Sequence, residues 1–274
     1  MAADLSQALE MALSSDPGLV RPHNEDSLYA NAALGVAVVA DGMGGYNAGE
    51  VASGMATSLL GAELEKLAAG HSGGRRKGRN PRDHERLIRG IGRVNGVIYD
   101  TALNQPQCAG MGTTLVMALF GDDGMTVAHL GDSRLYRLRG DGLQQITHDH
   151  SLLQEQIDSG LISPEEARLS RNKNLVTRAL GVDPDVDPEI RDYDVLAGDI
   201  YLLCTDGLTD MLDDPEIAMM LSAPSTSLDD CAVRLVAAAN ERGGRDNISV
   251  ILVKVKRAFP ANRGWLARLR AWFG

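Results

Sequence analysis

Acidic residues follow several apolar runs of this 274-residue chain, at the points where buried strands would end. Asp41 follows the run 34–40, Asp206 follows the run 199–204, and Asp246 lies just before the final run at 247–255. Carboxylates at strand ends are held on a rigid frame, and ligand sets made only of oxygen suit Mg²⁺ or Mn²⁺ rather than Zn²⁺. We therefore expect these three aspartates to form a two-metal centre, a kind of site suited to the hydrolysis of phosphate esters.

Each aspartate also has a simpler interpretation, because Asp-Gly pairs are common in turns. The segments GDDG (121–124) and RGDG (139–142) are typical of hairpin turns, so we exclude Asp122, Asp123 and Asp141 from the centre. Asp41 and Asp206 differ, since VAVVADGMGG and YLLCTDGLTD both pass from a buried strand into an acidic loop. Two such strand ends, together with Asp246, can converge.

The apolar periodicity predicts an order of elements that can position these residues. Strands are expected at 8–14, 27–31, 34–40, 113–120, 125–130, 134–139, 143–146, 187–195, 199–204 and 247–255. Helices are expected at 47–68, 85–103, 215–222 and 228–241, with short helices and loops over 151–182. Strands bracket paired helices, which favours an α+β fold over alternating βαβ units. We predict a four-layer α-β-β-α sandwich with two mainly antiparallel sheets.

Apolar residues at helical spacing predict which face of each long helix meets the core. In the first helix these residues are Val51, Met55 and Leu59. In the second they are Leu87, Ile91, Val94 and Ile98.

Composition excludes several classes of protein. A formal net charge of −10 argues against nucleic acid as the main partner. The three cysteines are odd in number and lack short spacing, which predicts neither a disulfide framework nor a zinc ribbon and fits a reducing cytoplasm. The N-terminal sequence has no basic region followed by an apolar run, and no stretch reaches about 18 apolar residues. We expect no export signal and no membrane-spanning helix.

Seven segments, in this order and spacing, resemble the metal-dependent protein phosphatases of the type 2C serine/threonine family in their bacterial form. They are RPHNEDS (21–27), VVADGMGGYNAGEVAS (38–53), GMGTTLV (110–116), HLGDSRLYRLR (129–139), THDHS (147–151), LLCTDGLTDML (202–212) and GGRDNISVILV (243–253). The resemblance covers roughly residues 9–255. It implies that the metal site lies between the two sheets, at one edge.

The resemblance also assigns metal-binding roles residue by residue. Asp41 would bridge two ions, and the Gly42 carbonyl would bind one of them. Asp206 and Asp246 would complete the shell of the other ion, while Glu25 would hold metal-bound water. The ions would be Mn²⁺ or Mg²⁺.

Two further residues gain roles from the resemblance. Asp132 corresponds to a residue that helps to form a third metal site in bacterial members, together with Asp206. Arg21 corresponds to the arginine that grips the substrate phosphate, and its planar fork can bind two phosphoryl oxygens where Lys cannot. Arg21, Asp41 and Asp206 are thus the expected catalytic residues. The reaction would be direct attack by a metal-bridging water or hydroxide.

One position departs from the wider family. Eukaryotic relatives carry a histidine after the metal-binding Asp-Gly pair and use it as general acid, whereas this chain has Met43 there. The proton for the leaving group would then come from metal-bound water or from His23. His148 and His150 are expected to cap a loop or anchor a flap rather than bind metal. Cys204 is expected to pack in the core rather than act as a nucleophile.

The leading hypothesis is hydrolysis of phosphoserine and phosphothreonine in proteins, opposing serine/threonine kinase signalling. Phosphorylated proteins, including a cognate kinase, would be the partners, and the chain is expected to be a cytoplasmic monomer. One alternative is a catalytically silent module that binds phosphoproteins, although no metal-binding carboxylate is missing. Another is a phosphomonoesterase for small molecules on the same fold.

The expected domain organisation is a catalytic domain over 1–256 and a basic amphipathic tail over 257–274. Within the domain, the Gly- and Arg-rich residues 70–83 should form a mobile basic loop, for which a nucleic-acid patch is the alternative. Residues 151–182 match the family's flap beside the active site, where substrate specificity would reside. The tail could contact a membrane surface or a partner, or dock on its own domain.

Overall fold

A computed structural model describes residues 4–45, 48–69, 81–121, 124–163, 166–167, 175–223 and 227–259. The strands are β1 (Leu9–Asp16), β2 (Asp26–Asn31), β3 (Val36–Met43), β4 (Gly112–Thr113), β5 (Leu115–Gly121), β6 (Gly124–Leu130), β7 (Arg134–Arg139), β8 (Gly142–Gln145), β9 (Glu189–Asp194), β10 (Ile200–Cys204) and β11 (Ile248–Val255). The helices are α1 (Ala48–Ala69), α2 (Pro81–Asn104), α3 (Leu152–Asp158), α4 (Asp206–Thr209), α5 (Asp214–Ser222) and α6 (Leu228–Glu241).

Two antiparallel sheets stack face to face and carry helices on their outer faces. One sheet has the strand order β1-β11-β10-β7-β8, and the other has the order β2-β3-β5-β6-β9, with β4 also paired to β3. Helices α1 and α2 cover the second sheet, whereas α5 and α6 cover the first. A third apolar layer fills the space between the sheets. The predicted four-layer α-β-β-α sandwich is confirmed.

Strand β3 shows why the run before Asp41 is apolar at every position. Ala37 and Val39 face the layer between the sheets, whereas Val36, Val38 and Ala40 face helix α1. Side chains alternate along a strand, so a strand covered on both faces must be apolar throughout. The strand therefore reaches Asp41 through a rigid, fully packed segment.

The predicted core stripe of α1 is wrong for Val51 and Leu59, whereas Met55 is partly buried against the core. Val51 and Leu59 are 39% and 37% exposed, and the face that meets the sheet consists mainly of alanines 48, 52 and 56 with Leu60 and Leu64. Alanine lets the helix backbone approach the sheet closely, so the larger residues are displaced to the side. The stripe predicted for α2 is confirmed, since all four of its residues are at most 3% exposed.

Several predicted boundaries shift. Helix α2 begins at Pro81 rather than at 85, because proline is well tolerated in the first turn, where its missing N–H would have no partner. The predicted strand 113–120 is interrupted at Thr114, which separates β4 from β5.

Asp141 lies at the turn between β7 and β8, as expected, whereas Asp122 and Asp123 lie outside the described residues. Residues 70–80 and 260–274 also lie outside the described residues, so the loop over 70–80 and the tail stay predictions. The last part of the predicted loop, 81–83, is instead the start of helix α2. No described helix combines the length and apolar character needed to cross a membrane.

The layer between the sheets should dominate stability. Leu203 is fully buried there, whereas Leu196 is 54% exposed. We predict that Leu203→Ala lowers the free energy of unfolding by about 2–5 kcal/mol, because it leaves a cavity in close-packed surroundings. Leu196→Ala should cost less than about 0.5 kcal/mol. Denaturant unfolding followed by circular dichroism measures both. Equal effects of the two substitutions would show that this layer is not the dominant core.

Candidate metal centre

Asp41 is held from two sides at the end of β3. Its Cα pairs in register with that of Asp26 in β2. Its N–H donates to Thr114 Oγ1 at 3.0 Å, and its carbonyl accepts from the N–H of Thr114 and the hydroxyl of Thr113, each at 2.9 Å. The break between β4 and β5 thus provides the threonines that fix the main chain of Asp41. Its carboxylate is left to face the other acidic residues.

Glycines make room around Asp41. A Cβ atom on Gly42 would lie 2.1 Å from the carbonyl oxygen of Gly49 and 2.5 Å from that of Glu25, so no larger residue fits. A Cβ atom on Gly49 would lie 2.8 Å from the Glu25 carboxyl carbon. The N–H of Gly42 donates to the Glu25 carbonyl at 3.1 Å. These approaches bring Glu25, Gly42 and the first turn of α1 into one compact unit.

Asp206 and Asp246 come from the other sheet. Asp206 is the first residue of α4, directly after β10 and Thr205, and not part of the loop that we expected. Asp246 precedes β11, and its Oδ2 accepts from Arg21 Nη2 at 2.7 Å. Gly207 packs against the chain beside Asp246, where a Cβ atom would lie 2.0 Å from the Asn247 carbonyl oxygen. Asp206 and Asp246 therefore lie beside neighbouring strands of this sheet.

Asn247 fixes the segment that carries Arg21 and Glu25. Its Nδ2 donates to the carbonyls of Pro17 and His23 at 3.0 and 2.9 Å, and its Oδ1 accepts from the Glu25 N–H at 2.8 Å. Sequence reasoning gave this residue no role. The available signal was its place beside Asp246 in the segment GGRDNIS.

Asp132 lies in the loop between β6 and β7 and is 8% exposed. The next residue, Ser133, shares a 2.7 Å hydrogen bond between its Oγ and Thr114 Oγ1. Thr114 also binds the main chain of Asp41, so the two aspartates are positioned through one threonine.

The charges of these carboxylates act on one another, which indicates that they lie close together. Burial raises the pKa of Asp41 well above its ordinary value, and the charges of Asp26, Asp206, Asp132 and Asp246 raise it further. Burial likewise raises the pKa of Asp206, followed by the charges of Asp132 and Asp246. The pKa of Asp132 rises to about 6, mainly through burial. Like charges held this close destabilise one another unless cations or protons neutralise them.

Arg21 and Glu25 lie at the outer side of this group. The Arg21 side chain is 49% exposed, and its hydrogen bond to Asp246 raises the pKa of the guanidinium. Burial raises the pKa of Glu25, while the charge of Arg21 lowers it. The structure thus brings together every residue that the sequence placed in the centre.

Asp26 is a member of the site that sequence reasoning missed. Its Oδ2 accepts from Thr205 Oγ1 at 3.0 Å, whereas its Oδ1 is buried without a hydrogen-bond partner among the described residues. Burial raises the pKa of Asp26 to about 7. Its position next to Glu25 in the segment RPHNEDS was a signal, but adjacent residues usually point to opposite faces of a strand.

The donors present fit hard divalent cations. They are carboxylate oxygens and a backbone carbonyl, the ligands that Mg²⁺ and Mn²⁺ prefer. The clustered negative charge and the orphaned oxygen of Asp26 supply the electrostatic reason for a cation to bind.

Other candidate residues lie elsewhere. Met43 pairs with Gly112 in β4, and His23 is exposed at the edge of the site. His148 Nε2 contacts Asp158 Oδ2 at 2.7 Å and His150 is buried against Gly131, contacts that match the expected anchoring role. Cys204 is fully buried and its thiol pKa is raised to about 12, which excludes it as a nucleophile.

The clustered carboxylates should make the stability of the fold depend on pH when no cations are added. Asp26 has a raised folded-state pKa, so the folded chain retains protons that the unfolded chain has released. Stability should therefore fall as pH rises from about 4 to about 7, by up to about 1.4 kcal/mol per pH unit for this group. Asp26→Asn should make this decline shallower, as measured by urea unfolding of chelated protein across that range. Parallel profiles for the two proteins would contradict the raised pKa of Asp26 in the folded chain.

Comparisons with known proteins identify relatives of this chain. The chain is 39% identical over 253 residues to "Serine/threonine protein phosphatase PstP" of Mycobacterium tuberculosis, which covers 92% of this chain and 46% of that protein. It therefore spans about half the length of this relative. It is 38% identical over 244 residues to "Serine/threonine phosphatase stp" of Listeria monocytogenes, covering 88% of this chain and 93% of that one.

The chain is also similar to solved structures of bacterial phosphatases over most of its length. The crystal structure of the Mycobacterium tuberculosis phosphatase PstP/Ppp superposes with a TM-score of 0.81 at 38% identity, covering 91% of this chain and 100% of that one. The catalytic domain of PstP in complex with two manganese ions has a TM-score of 0.77 at 39% identity, covering 90% and 98%. A family model described as "Protein phosphatase 2C" matches residues 22–241. The chain belongs to the protein phosphatase 2C family.

Proposed function

We propose that this chain is a divalent-metal-dependent phosphatase that removes phosphate from phosphoserine and phosphothreonine in proteins. The observation that carries the proposal is the convergence of Asp41, Asp206 and Asp246 from both sheets into one acidic site. The serine/threonine phosphatases among its relatives support the substrate class.

The proposed metal ligands are the carboxylates and the carbonyl that the two sheets bring together. They are Glu25, Asp41, the Gly42 carbonyl, Asp132, Asp206 and Asp246. Two Mn²⁺ or Mg²⁺ ions would bind there, and Asp132 with Asp206 would hold a third. Such ions, when bound, lower the pKa of water and offset the charge that develops on a transferred phosphoryl group.

Arg21 is the proposed phosphate clamp. Its half-exposed guanidinium lies at the edge of the acidic site and uses one nitrogen, Nη2, to bind Asp246. Arginine has five N–H donors, so the remaining ones can bind phosphoryl oxygens while Asp246 fixes the orientation of the fork. The contact thus orders a long side chain before the substrate arrives.

The proposal also includes partners, assembly and domain organisation. The phosphorylated substrates would include a cognate serine/threonine kinase, and the chain would act as a monomer. The three cysteines are free and buried, which is compatible with the reducing cytoplasm. Residues 1–256 would form the catalytic domain, with the flap over 151–182 influencing specificity. A role for 257–274 at a membrane surface or a partner would be separate from catalysis.

The first test removes the metal and one ligand. We predict that phosphate release from a phosphothreonine peptide requires Mn²⁺ or Mg²⁺ and stops with chelator. Asp206→Asn should lower turnover at least about a hundredfold without unfolding the chain, because the lost charge stabilisation amounts to several kcal/mol. The matched control is Asp141→Asn in the exposed hairpin turn, which should retain activity.

Activity that survives full metal removal would refute the metal requirement. A chain that binds phosphopeptides but never turns them over would be the silent module. Turnover of small phosphomonoesters with no turnover of phosphopeptides would identify a metabolite phosphatase instead.

The second test concerns the clamp. Lysine keeps the positive charge but cannot form the fork, so Arg21→Lys should lower kcat/KM about tenfold to a hundredfold, the equivalent of one lost charge-assisted hydrogen bond. Arg89→Lys on the exposed side of α2 is the control and should behave as the parent chain. An unchanged kcat/KM in Arg21→Lys would mean that another group binds the phosphate.

A further inference from the structure

A second cluster of titratable residues lies beside the acidic site. His129 and His150 are buried, and their ring centroids are 4.7 Å apart with planes inclined by only 10°. Glu189 completes the cluster, with one potential ligand atom of each residue within 4.8 Å of the others. Ring nitrogen lone pairs lie in the ring plane, so two nearly parallel rings do not direct them at a common ion. The stacking indicates that the two histidines hold neighbouring residues in place and do not form a metal site.

His150 forms hydrogen bonds with both main-chain polar groups of Gly131. The N–H of His150 donates to the Gly131 carbonyl at 2.9 Å, and the N–H of Gly131 donates to His150 Nδ1 at 3.3 Å. Nδ1 is therefore the unprotonated nitrogen, and the proton of the neutral ring is on Nε2, 3.8 Å from Glu189 Oε2. His129 keeps the ring in place by stacking, while its own Nε2 donates to the His148 carbonyl at 2.8 Å.

Gly131 is confined on its other side by Thr114. Its φ of +100° is unfavourable for other residues, and a Cβ atom would lie 2.7 Å from Thr114 Cγ2. Thr114 in turn binds Ser133 and the main chain of Asp41. The loop that carries Asp132 is thus held between Thr114 and His150.

The same histidine anchors the start of the flap. The carbonyl of His150 accepts from the Thr177 N–H at 2.8 Å, and the next residue, Ser151, caps α3 through its side chain. The Leu152 N–H donates to the Leu175 carbonyl at 2.9 Å. His150 therefore connects both ends of the described flap to the loop of Asp132.

We propose that His150 is a positioning residue that holds Asp132 in the orientation required for metal binding, by fixing Gly131 through its main chain and Nδ1. The inference rests on the proposed function, because it takes Asp132 as a ligand. Supporting groups around metal ligands typically change metal affinity about tenfold to a hundredfold when they are removed. The effect of His150 should accordingly appear in the binding step that depends on Asp132.

The test measures Mn²⁺ binding to the whole chain by electron paramagnetic resonance, with no substrate present. Asp132→Asn first identifies the binding step that belongs to Asp132. His150→Leu, which lacks an acceptor, should weaken that step about tenfold or more and leave the steps lost in Asp246→Asn unchanged. His150→Asn offers Oδ1 near the former position of Nδ1 and should restore most of the affinity. His148→Gln, which changes the flap contact to Asp158 without contacting Gly131, should bind Mn²⁺ as the parent chain does.

Several results would overturn the proposal. One is an unchanged Asp132-dependent step in folded His150→Leu, and another is an equal loss in His148→Gln. If His150→Leu does not fold, His150→Asn decides, and loss of the step as complete as in Asp132→Asn contradicts the positioning role. An Asp132→Asn variant that loses no step would remove Asp132 from the ligands and the proposal with it. Absence of phosphatase activity alongside the expected binding pattern would instead refute the proposed function and leave this inference standing.

Discussion

Mutual repulsion between buried carboxylates is the constraint on which the rest of this structure depends. Burial raises the pKa of Asp26, Asp41, Asp132 and Asp206, and the charges of neighbouring carboxylates raise it further. In an unfolded chain the side chains would move apart and the repulsion would disappear. The fold prevents such relief, because each aspartate is attached to a packed strand end or a hydrogen-bonded loop. The folded chain therefore keeps a repulsion that lowers its stability. Divalent cations bind because they neutralise these charges.

The sandwich explains how the repulsion is sustained. Asp41 follows a strand covered on both faces, and Asp206 begins a helix directly after a buried strand of the other sheet. The glycines at 42, 49 and 207 allow backbone approaches that no side chain would permit. Thr114 and Asn247 then fix the connecting loops through hydrogen bonds. Rigid apolar layers therefore position polar groups that would not assemble by themselves.

Much of this arrangement could be predicted from the sequence. The fully apolar run before Asp41 indicated a buried strand, and the ordered motifs indicated the fold and the acidic residues together. The core-facing residues of α1 could not be predicted correctly from the sequence. Close packing against the sheet favours alanine, whereas the prediction relied on the spacing of larger apolar residues. Asp26 was missed because its role depends on burial, which adjacency in sequence does not reveal. The contact of His150 with Gly131 depends on loop geometry that no local pattern encodes.

The most direct measurement of the central claim is anomalous diffraction from crystals grown with Mn²⁺. We predict two strong peaks at the acidic site, both within coordination distance of Asp41, with one of them also within reach of Asp206 and Asp246. Peaks found only at the cluster of His129, His150 and Glu189, or none near Asp41, would contradict it.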